Sequence, residues 1–197
     1  MGKIFFLMGK SASGKDTIFE RLLEDNSLNL VPYVGFTTRP MREGEQNGSE
    51  YFFSSEEDLA RFEAEGRLIE KRIYHTVYGD WTYFSVDDGT LDPEKNNYLY
   101  IGTLESFVSF RDYYGSDVVI PLYIETDDGI RLLRSVHREQ QQAVPGYKEV
   151  CRRFLADCED FSEEKLREAG IEKRFLNDTS PDECLARVRR EILSYIK

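Results

Sequence analysis

The segment Gly9-Lys10-Ser11-Ala12-Ser13-Gly14-Lys15-Asp16-Thr17 holds the residue types an anion cradle needs. Gly9 and Gly14 let the backbone wind closely around phosphate oxygens, and the N–H groups of Ser11, Ala12, Ser13 and Gly14 are then available as donors. Lys15 completes the spacing G-x-x-x-x-G-K, which sets a flexible positive charge near the outer phosphates of a nucleoside triphosphate. The next residue is Asp16 where a hydroxyl is usual, with Thr17 one step later. Asp16 is a hard oxygen donor able to hold Mg2+ directly or through water, with the Thr17 hydroxyl beside it. An acid in the first turn of a helix also complements the helix dipole with no metal involved. Both readings stand at this point.

A second set of candidate groups lies in Thr37-Thr38-Arg39-Pro40-Met41-Arg42-Glu43-Gly44-Glu45. Arg39 and Arg42 are three apart, and Pro40 keeps them on an extended or turn segment. Two guanidinium forks with neighbouring hydroxyls can hold a phosphate dianion. The same arginines could equally be surface residues paired with Glu43 and Glu45. A third set comprises Arg131, Arg134 and Arg138, and then Arg152 and Arg153. Arginines on helices commonly solvate a face; positioned cations can also stabilise charge spread over a transition state. His75 and His137 have no assigned role.

These groups need elements to position them. Lys3–Met8 is a short apolar run of the kind buried on both faces of a parallel sheet. After the glycine-bounded loop, Ile18, Phe19, Leu22 and Leu23 share one helical face. Strand, loop and helix follow in the order the phosphate motif requires. Residues 33–90 read as short aromatic-rich strands and turns with one helix, Ser55–Glu65, opened by a serine cap and first-turn acids. Val118–Ile124 is a second buried-type strand, weakened by Pro121. Helices are expected over Thr126–Gln142 and Tyr147–Asp157, separated by the polar, Pro-Gly-broken stretch Gln140–Gly146. A short strand ends at Phe175–Asp178, and Pro181–Ile196 carries Cys184, Val188, Ile192 and Ile196 at four-residue spacing. Asn177 and Asp178 also suit entry into that helix.

Composition narrows the classes of partner. A chain of 197 residues suits one domain with inserts. Its formal net charge of -11 opposes binding to nucleic acid or anionic membrane, so an anionic ligand needs a local positive pocket. Three widely spaced cysteines without a CxxC pair argue for ordinary thiols in a reducing compartment. No apolar run reaches the length of a membrane helix, and a cytoplasmic location is expected.

The pattern Thr37-Thr38-Arg39-x-x-Arg42-x-Gly44-Glu45-x-x-Gly48-x-x-Tyr51-x-Phe53 resembles the signature of the guanylate kinase family. The phosphate loop ahead of it, Gly66-Arg67-Leu68-Ile69-Glu70 and Tyr78-Gly79 behind it, follow in the family's order. The resemblance implies a three-layer α/β P-loop NTPase fold with a central parallel sheet, an inserted mixed β-rich nucleotide-binding subdomain and a helical lid. It places the core at 1–32, 92–130 and 152–197, the GMP-binding subdomain at 33–91 and the lid at 131–151. It implies ATP-dependent phosphorylation of GMP with Mg2+. Lys15, Arg138 and Arg153 would be catalytic, with Arg134 and Arg152 as near alternatives for the two lid arginines. Arg39, Arg42 and Tyr51 would hold the acceptor phosphate, with Tyr78 reaching it as well. Glu70 would bind the base, and Asn177 would lie against the adenine of ATP.

The chain also departs from the family. Gly35 stands where the family has a serine that contacts the guanine carbonyl, and Asp80 where it has a serine after Tyr-Gly. The family carries an acidic D-x-D pair after the next core strand; the corresponding stretch here, Leu99-Tyr100-Ile101-Gly102-Thr103, holds no carboxylate, and Thr103 or Glu105 are possible substitutes. A different nucleoside monophosphate as acceptor is therefore an alternative, as is a guanylate kinase-like binding module without catalysis.

Overall fold

The computed structural model describes residues 2–42, 44–76 and 79–196. Ile4–Met8 forms strand β1, and all five residues are buried. It is the middle strand of a five-stranded sheet with β2 (Leu30–Pro32), β7 (Asn97–Ile101), β8 (Val119–Glu125) and β9 (Arg174–Leu176), in the order β2-β7-β1-β8-β9. Every pairing is parallel. Such a sheet must be covered on both faces, which is why β1 reads as a continuous apolar run. Phe5 and Leu7 pack with Ile18, Leu22, Val188 and Ile192, and so against α1 (Lys15–Glu24) and α7 (Pro181–Tyr195). Ile4, Phe6 and Met8 face the other way, toward Phe107 and Phe110 of α3 (Leu104–Tyr114) and Leu166 of α6 (Glu163–Glu168). The result is three layers, helix on sheet on helix.

Pro121 sits inside β8 opposite Phe6 of β1, while pairing with β9 starts only at Tyr123. The strand has a ladder on one side at that point, which is how it tolerates a residue without an N–H.

A second, mixed sheet interrupts the first between β2 and β7. Its strands are β3 (Phe36–Thr37), β4 (Phe52–Phe53), β5 (Leu68–Thr76) and β6 (Gly79–Val86), in the order β4-β3-β6-β5. The expected helix is α2 (Glu56–Ala64), and the Ser55 hydroxyl accepts the Asp58 N–H as its cap. Leu59 and Phe62 of α2 pack on Phe84 and Val86, giving this sheet its own small core. The stretch 131–151 expected as a lid falls within two helices, α4 (Asp128–Gln140) and α5 (Tyr147–Asp160), and the segment between them. The second runs three residues beyond its expected end.

Candidate active site

The phosphate loop leaves the carboxyl end of the central strand, where parallel α/β sheets open a crevice. Gly14 caps α1 with φ 86°, a conformation that favours glycine. Ala12 is left-handed too, at φ 62°. Two turns of backbone that a side chain normally resists shape the loop before any ligand arrives. From below, the Ser13 carbonyl accepts the Asn177 Nδ2 at 2.7 Å and the Thr126 hydroxyl at 3.2 Å. Asn177 is buried, so it supports the floor of the loop and is not displayed on a base-binding surface. Its Oδ1 and the Ser13 Oγ are buried without hydrogen-bond partners among the described residues.

Lys15 is largely covered and lies 3.6 Å from the exposed Asp16 carboxylate. Asp16 and Thr17 both reach solvent at the head of α1. Among the described residues, no cluster of three or more His, Cys, Asp or Glu forms a ready cation cage. One carboxylate and one hydroxyl beside a phosphate cradle fit a hard ion that takes its other ligands from phosphate and water, as Mg2+ does.

Helix α5 meets this loop directly. Asp157 Oδ2 accepts the Ser11 backbone N–H at 2.8 Å, and Arg153 Nη2 donates to the Ser11 Oγ at 3.3 Å. Arg138 and Arg153 border a small cavity together with Ser11. Arg134 is used elsewhere, donating to the Asn177 carbonyl at 2.9 Å, and Arg152 is paired with Glu149 at 2.6 Å. Arg131 is only 1% exposed. Its guanidinium lies 3.9 Å over the Phe154 ring, donates to Asp128 at 2.6 Å and reaches Asp157 at 3.4 Å. It clamps α4 to α5, a role that neither a solvated face nor a phosphate-directed cation describes, and nothing in its spacing distinguishes it from Arg134 and Arg138.

On the second sheet, Arg39 is buried and its fork is filled by the Glu45 carboxylate, at 2.7 and 2.6 Å. Both readings of this pair meet here: the arginine is paired with an acid, and it stands in a basic, aromatic recess. The guanidinium stacks near Tyr51 and Phe53, and Nε donates to the Tyr83 hydroxyl at 3.1 Å. Burial pushes the Tyr51 hydroxyl up, so it stays a protonated donor. Arg42 is exposed, and Glu43 and Tyr78 lie outside the described residues. Arg42, Tyr51, Arg72, Tyr74, Trp81, Tyr83, Glu149 and Arg153 enclose a cavity of about 500 Å³. Arg153 thus borders both the phosphate loop and the Arg42–Tyr51 recess.

The residues expected to read a base are drawn together with one exception. Glu70 is buried on β5, accepting the Ser85 hydroxyl at 3.1 Å and Arg72 Nε at 3.1 Å. Thr103 caps α3 through the Ser106 N–H and accepts Arg72 Nη1 at 3.3 Å. Asp80 stands apart: it is 61% exposed and bonded to His75 on the neighbouring strand at 2.7 Å. At Gly102 a Cβ would lie 2.7 Å from the Phe6 ring, so no side chain fits there as the backbone stands. At Gly35 the nearest group is the Tyr100 hydroxyl, 3.3 Å from where a Cβ would be. Arg72 was not singled out from sequence. Its signal was present in Glu70-x-Arg72, because residues two apart on a strand share a face.

A phosphate cradle at the carboxyl end of a parallel sheet's central strand, opposed by a basic recess on an inserted sheet and spanned by cationic helices, is the architecture of P-loop phosphotransferases that act between two phosphorylated ligands. A family profile described as Guanylate kinase matches residues 1–84. A guanylate kinase of Porphyromonas gingivalis is 30% identical over 199 positions, covering 100% of this chain and 99% of that protein. One of Malacoplasma penetrans is 29% identical, covering 90% and 82%. The fold is shared with the crystal structure of guanylate kinase from Anaplasma phagocytophilum, with a TM-score of 0.68 at 20% identity over 100% of this chain and 87% of that one. The chain belongs to the guanylate kinase family.

Proposed function

We propose that this protein transfers the γ-phosphoryl group of ATP to GMP, giving ADP and GDP, as an enzyme of purine nucleotide metabolism. The observation that carries this reading is the position of Arg153, which contacts Ser11 of the phosphate loop and borders the recess of Arg42 and Tyr51. Phosphoryl transfer asks little covalent chemistry of a protein. It needs donor and acceptor phosphates in line, cations between them and water kept out.

The backbone from Gly9 to Thr17 and the Lys15 ammonium bind the ATP phosphates. Arg138 and Arg153 stabilise the charge on the transferring group. Arg39, Arg42 and Tyr51 hold the acceptor phosphate, which displaces Glu45 from at least part of the Arg39 fork. Glu70 and Thr103 serve the base, and Tyr78 and Asp80 are assigned to the acceptor side on family likeness. Asn177 serves ATP through the loop floor. Mg2+ is the metal, held by Asp16 and Thr17, and when bound it neutralises phosphate charge. No protein base is required, because the acceptor phosphate is already a nucleophile at neutral pH. Residues 33–91 form the acceptor subdomain, 131–151 the lid, and the remainder the core; closure of the lid excludes water. Among the described residues no helix is long and apolar enough to cross a membrane, and a net charge of -11 disfavours nucleic acid. Both accord with a cytoplasmic enzyme.

The glycines at 35 and 102 favour one rival, a kinase of the same build with another acceptor. A coupled assay of ADP formation with GMP, dGMP, AMP, CMP and UMP separates the two. GMP is expected to be the best ribonucleotide acceptor; GMP as the poorest would sink the reading.

A further inference from the structure

We infer that Arg72 is a specificity-determining residue, reading the O6 edge of the acceptor base beside Glu70. The inference rests on the GMP reading above. Arg72 borders three cavities at once: the recess of Arg42 and Tyr51, the cleft of Asp16, Gly35 and Tyr51, and the groove of Thr103 and Glu105. It therefore stands where the acceptor cleft meets the head of α3. Of the five N–H groups on a guanidinium, three are given to Glu70 and Thr103. Two remain without a partner among the described residues.

Glu70 is fixed for its part. Its carboxylate is 4% exposed and takes the Ser85 hydroxyl, and the Ser85 oxygen in turn meets the Tyr100 hydroxyl at 3.1 Å. Since Ser85 spends its one proton on Glu70, Tyr100 is the donor of that second bond. Burial, and then the Glu70 charge, push the Tyr100 hydroxyl far above its ordinary range, so it keeps that proton.

Oε1 of Glu70 takes both Ser85 and Arg72 Nη2, whereas Oε2 takes only Arg72 Nε, so the pair presents one open carboxylate acceptor site next to a guanidinium donor. Guanine offers the complementary row along one edge: the N1 hydrogen, then the O6 acceptor. Adenine has no hydrogen on N1 and a donor at the 6-position, so it meets the same row with an acceptor against a carboxylate and a donor against a guanidinium. Guanidinium contact with guanine O6 and N7 is also the commonest specific contact to that base in nucleic-acid recognition. A site built from paired polar groups rejects the ligand that leaves them unpaired.

Steady-state kinetics of Arg72→Met with GMP, IMP and AMP test this. IMP keeps O6 and lacks the 2-amino group, whereas AMP lacks O6. The KM for GMP and for IMP should rise by the same factor, about 10–100-fold for a lost charged hydrogen bond. The KM for AMP should move less, so the GMP-to-AMP preference collapses while the GMP-to-IMP preference holds. Arg72→Lys should restore part of the loss, and an unchanged KM for ATP shows that the variants are folded. A GMP-to-AMP preference within twofold of the parent overturns the inference. So does a GMP-to-IMP ratio that falls in step, since that means Arg72 only holds Glu70 in place. A parent enzyme that prefers AMP overturns the GMP reading as well, and is told apart by appearing before any substitution is made.

Discussion

Arg153 donates to the Ser11 hydroxyl at 3.3 Å, which joins α5 to the phosphate loop across 142 positions of sequence. The same side chain lines the Arg42–Tyr51 recess. Arg153→Ala is expected to lower kcat on the order of 10³-fold, the scale of an arginine acting on a transferring phosphoryl group. The KM for GMP should change by less than about threefold, because the loss is confined to the transition state. Initial-rate measurements decide it. A large rise in KM at constant kcat would make Arg153 a ground-state binder.

The Arg39–Glu45 pair sets an acid limit on the inserted sheet. Its hydrogen bonds to Arg39, and next the Arg42 N–H, hold the Glu45 carboxyl down at about 2 from an ordinary 4.5. A depressed acid contributes stability that is present above its unfolded value and is lost as pH falls toward its folded one. Urea unfolding of the parent should therefore weaken between pH 4.5 and 2 more steeply than that of Glu45→Gln. Parallel pH profiles for the two proteins would remove Glu45 from the account.

Asp157 holds both the Ser11 N–H and one edge of the buried Arg131. Its replacement by alanine leaves a loop donor and a guanidinium partly unpaired. Unfolding free energy in urea should drop by about 1–3 kcal/mol, and the KM for ATP should rise as the loop loosens. An unaltered ATP affinity would show that the loop keeps its shape without this bond.

Gly102→Asp adds a carboxylate to the stretch where family likeness places an acidic pair, and it should fail as a repair. The new Cβ would press on the Phe6 ring at 2.7 Å. Overpacking of this kind costs about 1–3 kcal/mol, visible as a lower melting temperature, without gain in GMP affinity. A tighter KM for GMP in a protein of undiminished melting temperature would mean that Phe6 yields.

Much of the donor half was legible in the sequence, because its signals are local. The apolar run of β1, the G-x-x-x-x-G-K spacing and the four-residue stripe of α7 each fix an element without reference to the rest. The acceptor phosphate recess was legible only through family likeness. Arg39 and Arg42 alone did not distinguish a phosphate clamp from surface ion pairs, and Arg39 proves to be paired with Glu45 in a recess suited to phosphate. The long-range contacts of Arg72 and Asp157 were not legible for a different reason, although Glu70-x-Arg72 does put those two side chains on one strand face. The partners Thr103 and Ser11 lie 31 and 146 positions away, and only the packed layers bring them together. Helix α3 carries little signal in the sequence because its aromatic residues show no clear polar face; its Thr103 cap accepts the Ser106 N–H.

The bond from Asp157 to the loop also gives α5 the mechanics of a lever. Asp157 is the fulcrum, pinned to the nucleotide cradle, and Tyr147 is the far end roughly 15 Å along the axis at 1.5 Å per residue. A tilt of about 10° then carries the tip by about 2.6 Å but displaces the axis at Arg153, one turn from the pin, by only about 1 Å. By that geometry the far end of the helix gains travel that its cation, held near Ser11, does not.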